Sequence, residues 1–182
     1  DIDVLSADNQ KIAWYENNGS ESFTARTITT LSYANAVYAI DLDSDGDIDV
    51  LSAENGSDQI NWYENDGSEN FTEHLISNTA IGANIVDAED VAGDGDIDVL
   101  SSSDGKIVWY ENDGTQNFTE RIIYTGQGHP SCIHASDVDG DGDIDVLSYG
   151  LNSNINNNLS WYENDGSENF TEHIIDNQNS SY

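Results

Sequence analysis

Short runs of alternating apolar and polar residues, separated by turns rich in Asp, Asn and Gly, recur along the whole chain. "DIDVLS" begins at Asp1, Asp47, Asp96 and Asp143, and "WYEN" begins at Trp14, Trp62, Trp109 and Trp161. Phe23, Phe71, Phe118 and Phe170 each lie nine residues beyond their Trp and lead into a Thr. The Trp positions are 48, 47 and 52 residues apart, so the 182 residues are about four copies of one unit. The longer last spacing comes from an Asn-rich insertion, "GLNSNINNNLS", between Leu147 and Trp161.

The pattern predicts four short strands per unit. In the second copy these are Asn35–Asp41, Asp47–Ala53, Gln59–Asn65 and Phe71–Ser77. The turn Asn65-Asp66-Gly67 supplies residues that tolerate positive φ. No segment has apolar spacing of helical period and length. Four strands per unit of this size match a β-propeller blade. One blade cannot cover both of its own faces, so Trp62 on one face and Tyr63 on the other predict packing against two neighbouring blades.

The predicted fold is therefore all-β, a propeller of four-stranded antiparallel blades. Approximate blades are 1–32 (incomplete), 33–80, 81–127 and 128–182, with 15 strands in total. Three arrangements follow: part of a seven- or eight-bladed ring, a ring completed by homo-oligomerisation, or a compact four-bladed form. The first two are favoured.

Charge changes the picture next. Four Lys+Arg stand against 36 Asp+Glu, a formal net charge of −32. Phosphate backbones and anionic membrane surfaces are bound by basic patches, so nucleic acid and acidic lipid are excluded as partners. No apolar run reaches 18 residues, so no membrane insertion is predicted. High charge can also signal disorder, but the regular repeat argues against it. The single Cys132 allows no internal disulfide. The sequence opens on Asp1 and shows no signal peptide, which fits a mature or excised fragment and is compatible with removal of a leader.

Much of the charge falls in one loop, D-x-D-x-D-G-x-x-D. Asp41, Asp43, Asp45 and Asp49 fill it in the second copy, and Asp137, Asp139, Asp141 and Asp145 in the fourth. Calcium takes six to eight hard oxygen ligands, and alternate residues of a tight turn can aim carboxylates at one point. Asp47 and Asp143 would add a backbone carbonyl. The third copy has Asp90, Asp94, Asp96 and Asp98 but Ala92 where a carboxylate is expected, which predicts a weaker or water-completed site. The first copy keeps only Asp1 and Asp3. The expectation is two complete Ca2+ sites and one weaker one. An EF-hand or dockerin would need a Glu at the twelfth position and flanking helices; Ser52, Ser101 and Ser148 stand there, between strands. Calcium-binding β-rolls repeat every nine residues, unlike this chain.

"DLDSDGDIDVLSAE" and "DVDGDGDIDVLS" resemble the FG-GAP/VCBS repeats of integrin-like β-propellers, over essentially the whole chain. The resemblance implies calcium in the hairpin between the first and second strands of a blade. It also implies a secreted or cell-surface setting and a role in adhesion, in carbohydrate binding, or beside a secreted enzyme. "WYENDGSENFTEHLI" is similar to versions of the repeat in large secreted bacterial proteins.

Other features are weighed against plainer roles. The Trp-Tyr pairs could stack on sugars, but identical placement in every copy favours blade packing. His74 and His173 share one repeat position with Arg121 and are expected on an outer strand. His129 and His134 flank "PSC" and are expected on a first strand near the central channel, not in a catalytic site. Asn70, Asn117 and Asn169 lie in N-F-T, a formal glycosylation acceptor, here a turn of the repeat. The insertion Asn152–Asn158 breaks the symmetry and is a candidate contact loop.

The function expected is non-catalytic: a calcium-binding propeller module of a secreted protein that presents a surface to carbohydrate or to an extracellular protein ligand. The alternatives are an accessory or catalytic module of a secreted polysaccharide-degrading enzyme, or a purely structural repeat scaffold. No nucleophile is paired with a base in the sequence, and the acids recur as ligands.

Overall fold

Fifteen strands and no helix form in the computed structural model, which describes residues 2–30, 33–126, 128–152 and 157–178. In chain order they are β1 (Val4–Ala7), β2 (Ile12–Asn17), β3 (Phe23–Thr29), β4 (Ala34–Ile40), β5 (Asp49–Glu54), β6 (Gln59–Asn65), β7 (Phe71–Ser77) and β8 (Ile85–Glu89). Then follow β9 (Asp98–Ser103), β10 (Lys106–Asn112), β11 (Phe118–Thr125), β12 (Gly128–Ser136), β13 (Asp145–Asn152), β14 (Asn157–Asn164) and β15 (Phe170–Gln178). Asp1, and residues 153–156 of the Asn-rich insertion, lie outside the described residues. Among the described residues no helix is long and apolar enough to cross a membrane.

Each strand pairs antiparallel with the next in sequence, giving sheets β1-β2-β3, β4-β5-β6-β7, β8-β9-β10-β11 and β12-β13-β14-β15. These are the blades of a β-propeller. Equivalent strands carry equivalent irregularities. The register between third and fourth strands slips at Ile12/Ala13, Ile60/Asn61, Ile107/Val108 and Leu159/Ser160. A bulge at one place in every copy twists the outer strand in the same way each time.

The core lies between sheets, not within one. Trp62, Leu51, Ile60 and Leu42 of the second sheet meet Val86, Ala88, Val99, Val108 and Tyr110 of the third. Trp109, Leu100, Ile107 and Val91 of the third meet Ile133, Ala135, Val146 and Tyr162 of the fourth. Ile12 of the first meets Val50 and Tyr63 of the second. Because side chains alternate across a strand, Trp points forward to the next sheet and the adjacent Tyr points back. Packed inner strands follow one another as β1–β4–β8–β12, and among the described residues the first and last are not a packed pair. The four sheets form an open arc, not a compact four-bladed ring.

Candidate metal centre

Residues 41–49, 90–98 and 137–145 join the first strand of a blade to the second, at the same end of each sheet. Gly46, Gly95 and Gly142 take φ of 98°, 97° and 101° with open space around them, so the conformation, not crowding, selects glycine. Ser44 adopts φ 63° where the other two loops have Gly93 and Gly140, a small strain in the second copy alone.

Three carboxylates converge in each of two loops: Asp41, Asp43 and Asp49, and Asp137, Asp139 and Asp145. Their oxygens all lie within 4.8 Å of one another. A calcium–oxygen distance of about 2.4 Å allows two oxygens on one ion to be about 4.8 Å apart, so the clusters have the right span. Asp41 supplies an independent sign: its Oδ1 is buried with no hydrogen-bond partner. The donor set, all carboxylate, suits a hard divalent cation. Burial raises the Asp43 carboxyl above its ordinary range, with Asp45, Glu64 and Asp41 adding repulsion against the Asp45 N–H. Partial loss of water raises Asp139 in the same way. Such groups gain most from a cation.

The other predicted ligands stand outside these clusters of three. Asp45 and Asp141 accept the backbone N–H two residues on, at 2.8 and 3.0 Å, as the cluster members Asp43 and Asp139 also do. The carboxylates of Asp47, Asp96 and Asp143 sit over Gly67, Gly114 and Gly166 of the Asn-Asp-Gly turn, so tightly that a Cβ there would overlap them. In the third loop Asp90 accepts from the N–H of Asp94 and Gly95, and Asp94 from that of Asp96. With Ala92 in place of a carboxylate, no cluster of three forms there among the described residues.

The last aspartate of each loop has a second task. Asp49, Asp98 and Asp145 are fully buried at the start of β5, β9 and β13. One oxygen accepts the N–H of Leu42, Val91 or Val138, at 3.1, 3.0 and 2.9 Å. The other accepts the N–H of Asn65, Asn112 or Asn164, each at 2.8 Å. The same Asn sends its amide to the carbonyl of Ile48, Ile97 or Ile144. Asp3 and Asn17 repeat half of this clasp in the first sheet. The clasp ties the acidic loop to the end of the third strand. Asp98 also accepts the N–H of Ala92, yet its burial outweighs these donors and pushes its carboxyl up to about 6. Sequence reasoning missed the Asn of this clasp. Its signal was present, because the final N of "WYEN" is unchanged in all four copies.

Other predicted residues fall as follows. His74 and His173 lie on outer strands, stack on Trp62 and Trp161, and bond Glu64 and Glu163 at 2.7 and 2.6 Å. Arg121 instead lies over Trp109 and bonds Glu111. His134 lies on the first strand β12 and meets Asp87 of β8 at 3.2 Å; the side chain of His129 lies outside the described residues. Asn70, Asn117 and Asn169 use their amides to hold Asp66, Asp113 and Asp165 within the turn.

With this geometry in hand, the FG-GAP-like repeat model matches residues 1–52, 41–101 and 90–148, each span running from one acidic loop to the next. The chain belongs to the FG-GAP-like repeat family. No curated protein matches it. Among solved structures, it is similar to an Agrocybe aegerita lectin described as recognising non-reducing terminal N-acetylglucosamine. That likeness has a TM-score of 0.66 at 20% identity, and covers 97% of this chain but 49% of that one. The chain thus spans about half the length of the lectin. At this identity the likeness concerns the fold.

Proposed function

We infer that this FG-GAP propeller module is a non-catalytic carbohydrate-binding surface of a secreted protein, held rigid by divalent cations. The observation that carries the reading is a cleft of about 330 Å³ between the first two sheets. Trp14, Leu5, Ile28, Val50 and Phe71 give it an apolar wall, and Asp3, Asn65 and Glu69 a polar rim. Sugars pair apolar C–H faces with hydroxyl groups, so an aromatic wall lined also by carboxylate and amide groups suits them. The lectin likeness supports the same class of ligand. Calcium in the loops at Asp41–Asp49 and Asp137–Asp145 fits as the cation, because it binds carboxylate oxygens with flexible geometry. Bound only to the folded loops, it adds stability by mass action.

Glycan-array binding of the 182-residue chain in calcium tests the reading, with isothermal titration of the best hit. The expected result is binding without hydrolysis, lost on Glu69→Ala in protein that keeps its melting transition. Turnover of the glycan would transfer the module to the enzyme class, and absence of any glycan binding would leave a structural scaffold.

A further inference from the structure

The loops at the two ends of the sheets differ in kind. At one end stand the acidic loops. At the other, a hairpin joins the second strand of each blade to the third, and a link carries the chain from each fourth strand to the next first strand. Both lysines of the chain, Lys11 and Lys106, stand at this second end, where a third strand begins. Asn9 and Asn55 are exposed in the hairpins of the first and second sheets.

Tyr33 breaks the repeat here. "YAN" at Tyr33–Asn35 aligns with "GAN" at Gly82–Asn84, and each opens on a left-handed residue before a buried alanine, with φ of 68° at Tyr33 and 67° at Gly82. Glycine takes this conformation freely, whereas a bulky side chain is strained in it. The fold therefore accepts glycine at this position, and the second sheet carries tyrosine instead. Burial does not account for the choice, because Tyr33 is 55% exposed. Strained residues of this kind cluster at ligand sites, where the surroundings hold them.

Both hairpins around Tyr33 are in place. Its N–H donates to the Asn9 carbonyl at 3.4 Å, and its carbonyl accepts the N–H of Asn55 at 3.1 Å. A side chain at Gly82 would begin beside Asp104 and Asn55, in the hairpins of its own sheet and of the sheet before. The corresponding hairpins around Tyr33 hold Asn55 and Asn9. Tyr33 is thus flanked by two exposed asparagines.

We propose that Tyr33, Asn9 and Asn55 form a second carbohydrate site, weaker than the cleft and at the opposite end of the sheets. The cleft lies at the acidic-loop end, where Ile48, Asn65 and Glu69 line it. The proposal rests on the glycan-binding reading above and adds a place to it. An aromatic ring stacks on the C–H face of a sugar, and amides on either side bond its hydroxyl groups. One ring and two amides on an open surface enclose little of the sugar, so the affinity expected is on the order of millimolar.

The test uses the Glu69→Ala chain in calcium, whose cleft is disabled, and the oligosaccharide that the parent chain binds best on the array. In an NMR titration the amide signals of Asn9, Tyr33 and Asn55 should shift and saturate at millimolar sugar. Adding Tyr33→Gly should weaken this binding about tenfold. The melting transition should remain, since Gly82 fills the same position in the third sheet. Tyr33→Phe should keep the binding. With Glu69 intact, Tyr33→Gly should leave the affinity of the cleft unchanged. If the parent chain binds the oligosaccharide but the Glu69→Ala chain shows no shifts at these residues, or if the shifts survive Tyr33→Gly undiminished, the second site is overturned and the cleft reading stands. A parent chain that binds no glycan overturns both.

Discussion

The loops at Asp41–Asp49 and Asp90–Asp98 are the same repeat element with one decisive substitution, Asp43 against Ala92. Both keep the tight turn at Gly46 or Gly95, and both keep the clasp from the last aspartate to the third strand. The first alone draws three carboxylates together and leaves the Asp41 Oδ1 without a partner. In the second, the Ala92 N–H turns onto Asp98. The difference separates two roles that the aspartate-rich motif merges. Asp49 and Asp98 hold the blade corner whether or not a cation is present, whereas Asp43 has no work in the fold that requires its charge. Its counterpart Ala92 shows that the hairpin closes without it.

That separation gives the largest expected effect. Chelating calcium from the two clusters should remove about 5 kcal/mol of stability, from roughly 2.7 kcal/mol per site at a hundredfold excess over the dissociation constant. A differential scanning melt with and without chelator reads it. Asp43→Ala should abolish about half of the calcium-dependent part and leave the chelated protein no less stable. Ala92→Asp should add a third calcium-dependent increment. A melt indifferent to chelator would remove the cation from the account, while leaving the clasp untouched.

Next in size is the clasp itself. Asp98→Ala strands the N–H groups of Ala92 and Asn112, while that of Val91 keeps the Glu89 carbonyl, and unsatisfied buried donors cost about 1–3 kcal/mol each. A loss of about 3 kcal/mol or more is expected in urea unfolding, equal with and without calcium. The same substitution at Asp49 should cost the clasp and the calcium increment together. If the Asp98→Ala loss appeared only in calcium, the third loop would be a metal site like the others.

The fold was legible because a repeat multiplies every weak local signal by four: alternation in each strand, Asn-Asp-Gly in each turn, and Trp beside Tyr on opposite faces. The acidic clusters were legible only in part. Spacing shows which carboxylates share a loop, but not where each side chain turns. Asp45 and Asp141 each accept a backbone N–H two residues on, and the carboxylates of Asp47 and Asp143 sit over the crowded glycine turn. The tasks of Asn65, Asn112 and Asn164 join segments 14 to 19 residues apart across a sheet corner, which no local pattern encodes.

The smallest effect sharpens the contrast between loop and turn. Asp113 lies outside the cation loops, fully exposed, yet its carboxyl is held down to about 2. The side chains of Thr115 and Asn117 and their backbone N–H groups all donate to it. Its sign is therefore opposite to that of buried Asp98. A lowered carboxyl contributes stability that is present above the unfolded value of 3.8 and is lost as pH falls towards 2. Carbon-detected NMR titration should find Asp113 ionising near the bottom of the range, and Asn117→Ala should move it up towards 3.8 while Asp98 stays high. In the first copy Asn18 fills the place of Asp113 and its uncharged amide oxygen makes the same turn, bonding the N–H of Ser20 at 2.9 Å. The turn therefore closes on a neutral acceptor at this position, so Asp113→Asn should keep the fold, lose a small stability increment at about pH 7 with the charge, and flatten the decline below about pH 4. A large loss on Asp113→Asn would mean that the turn carboxylates, like those of the loops, are held for their charge.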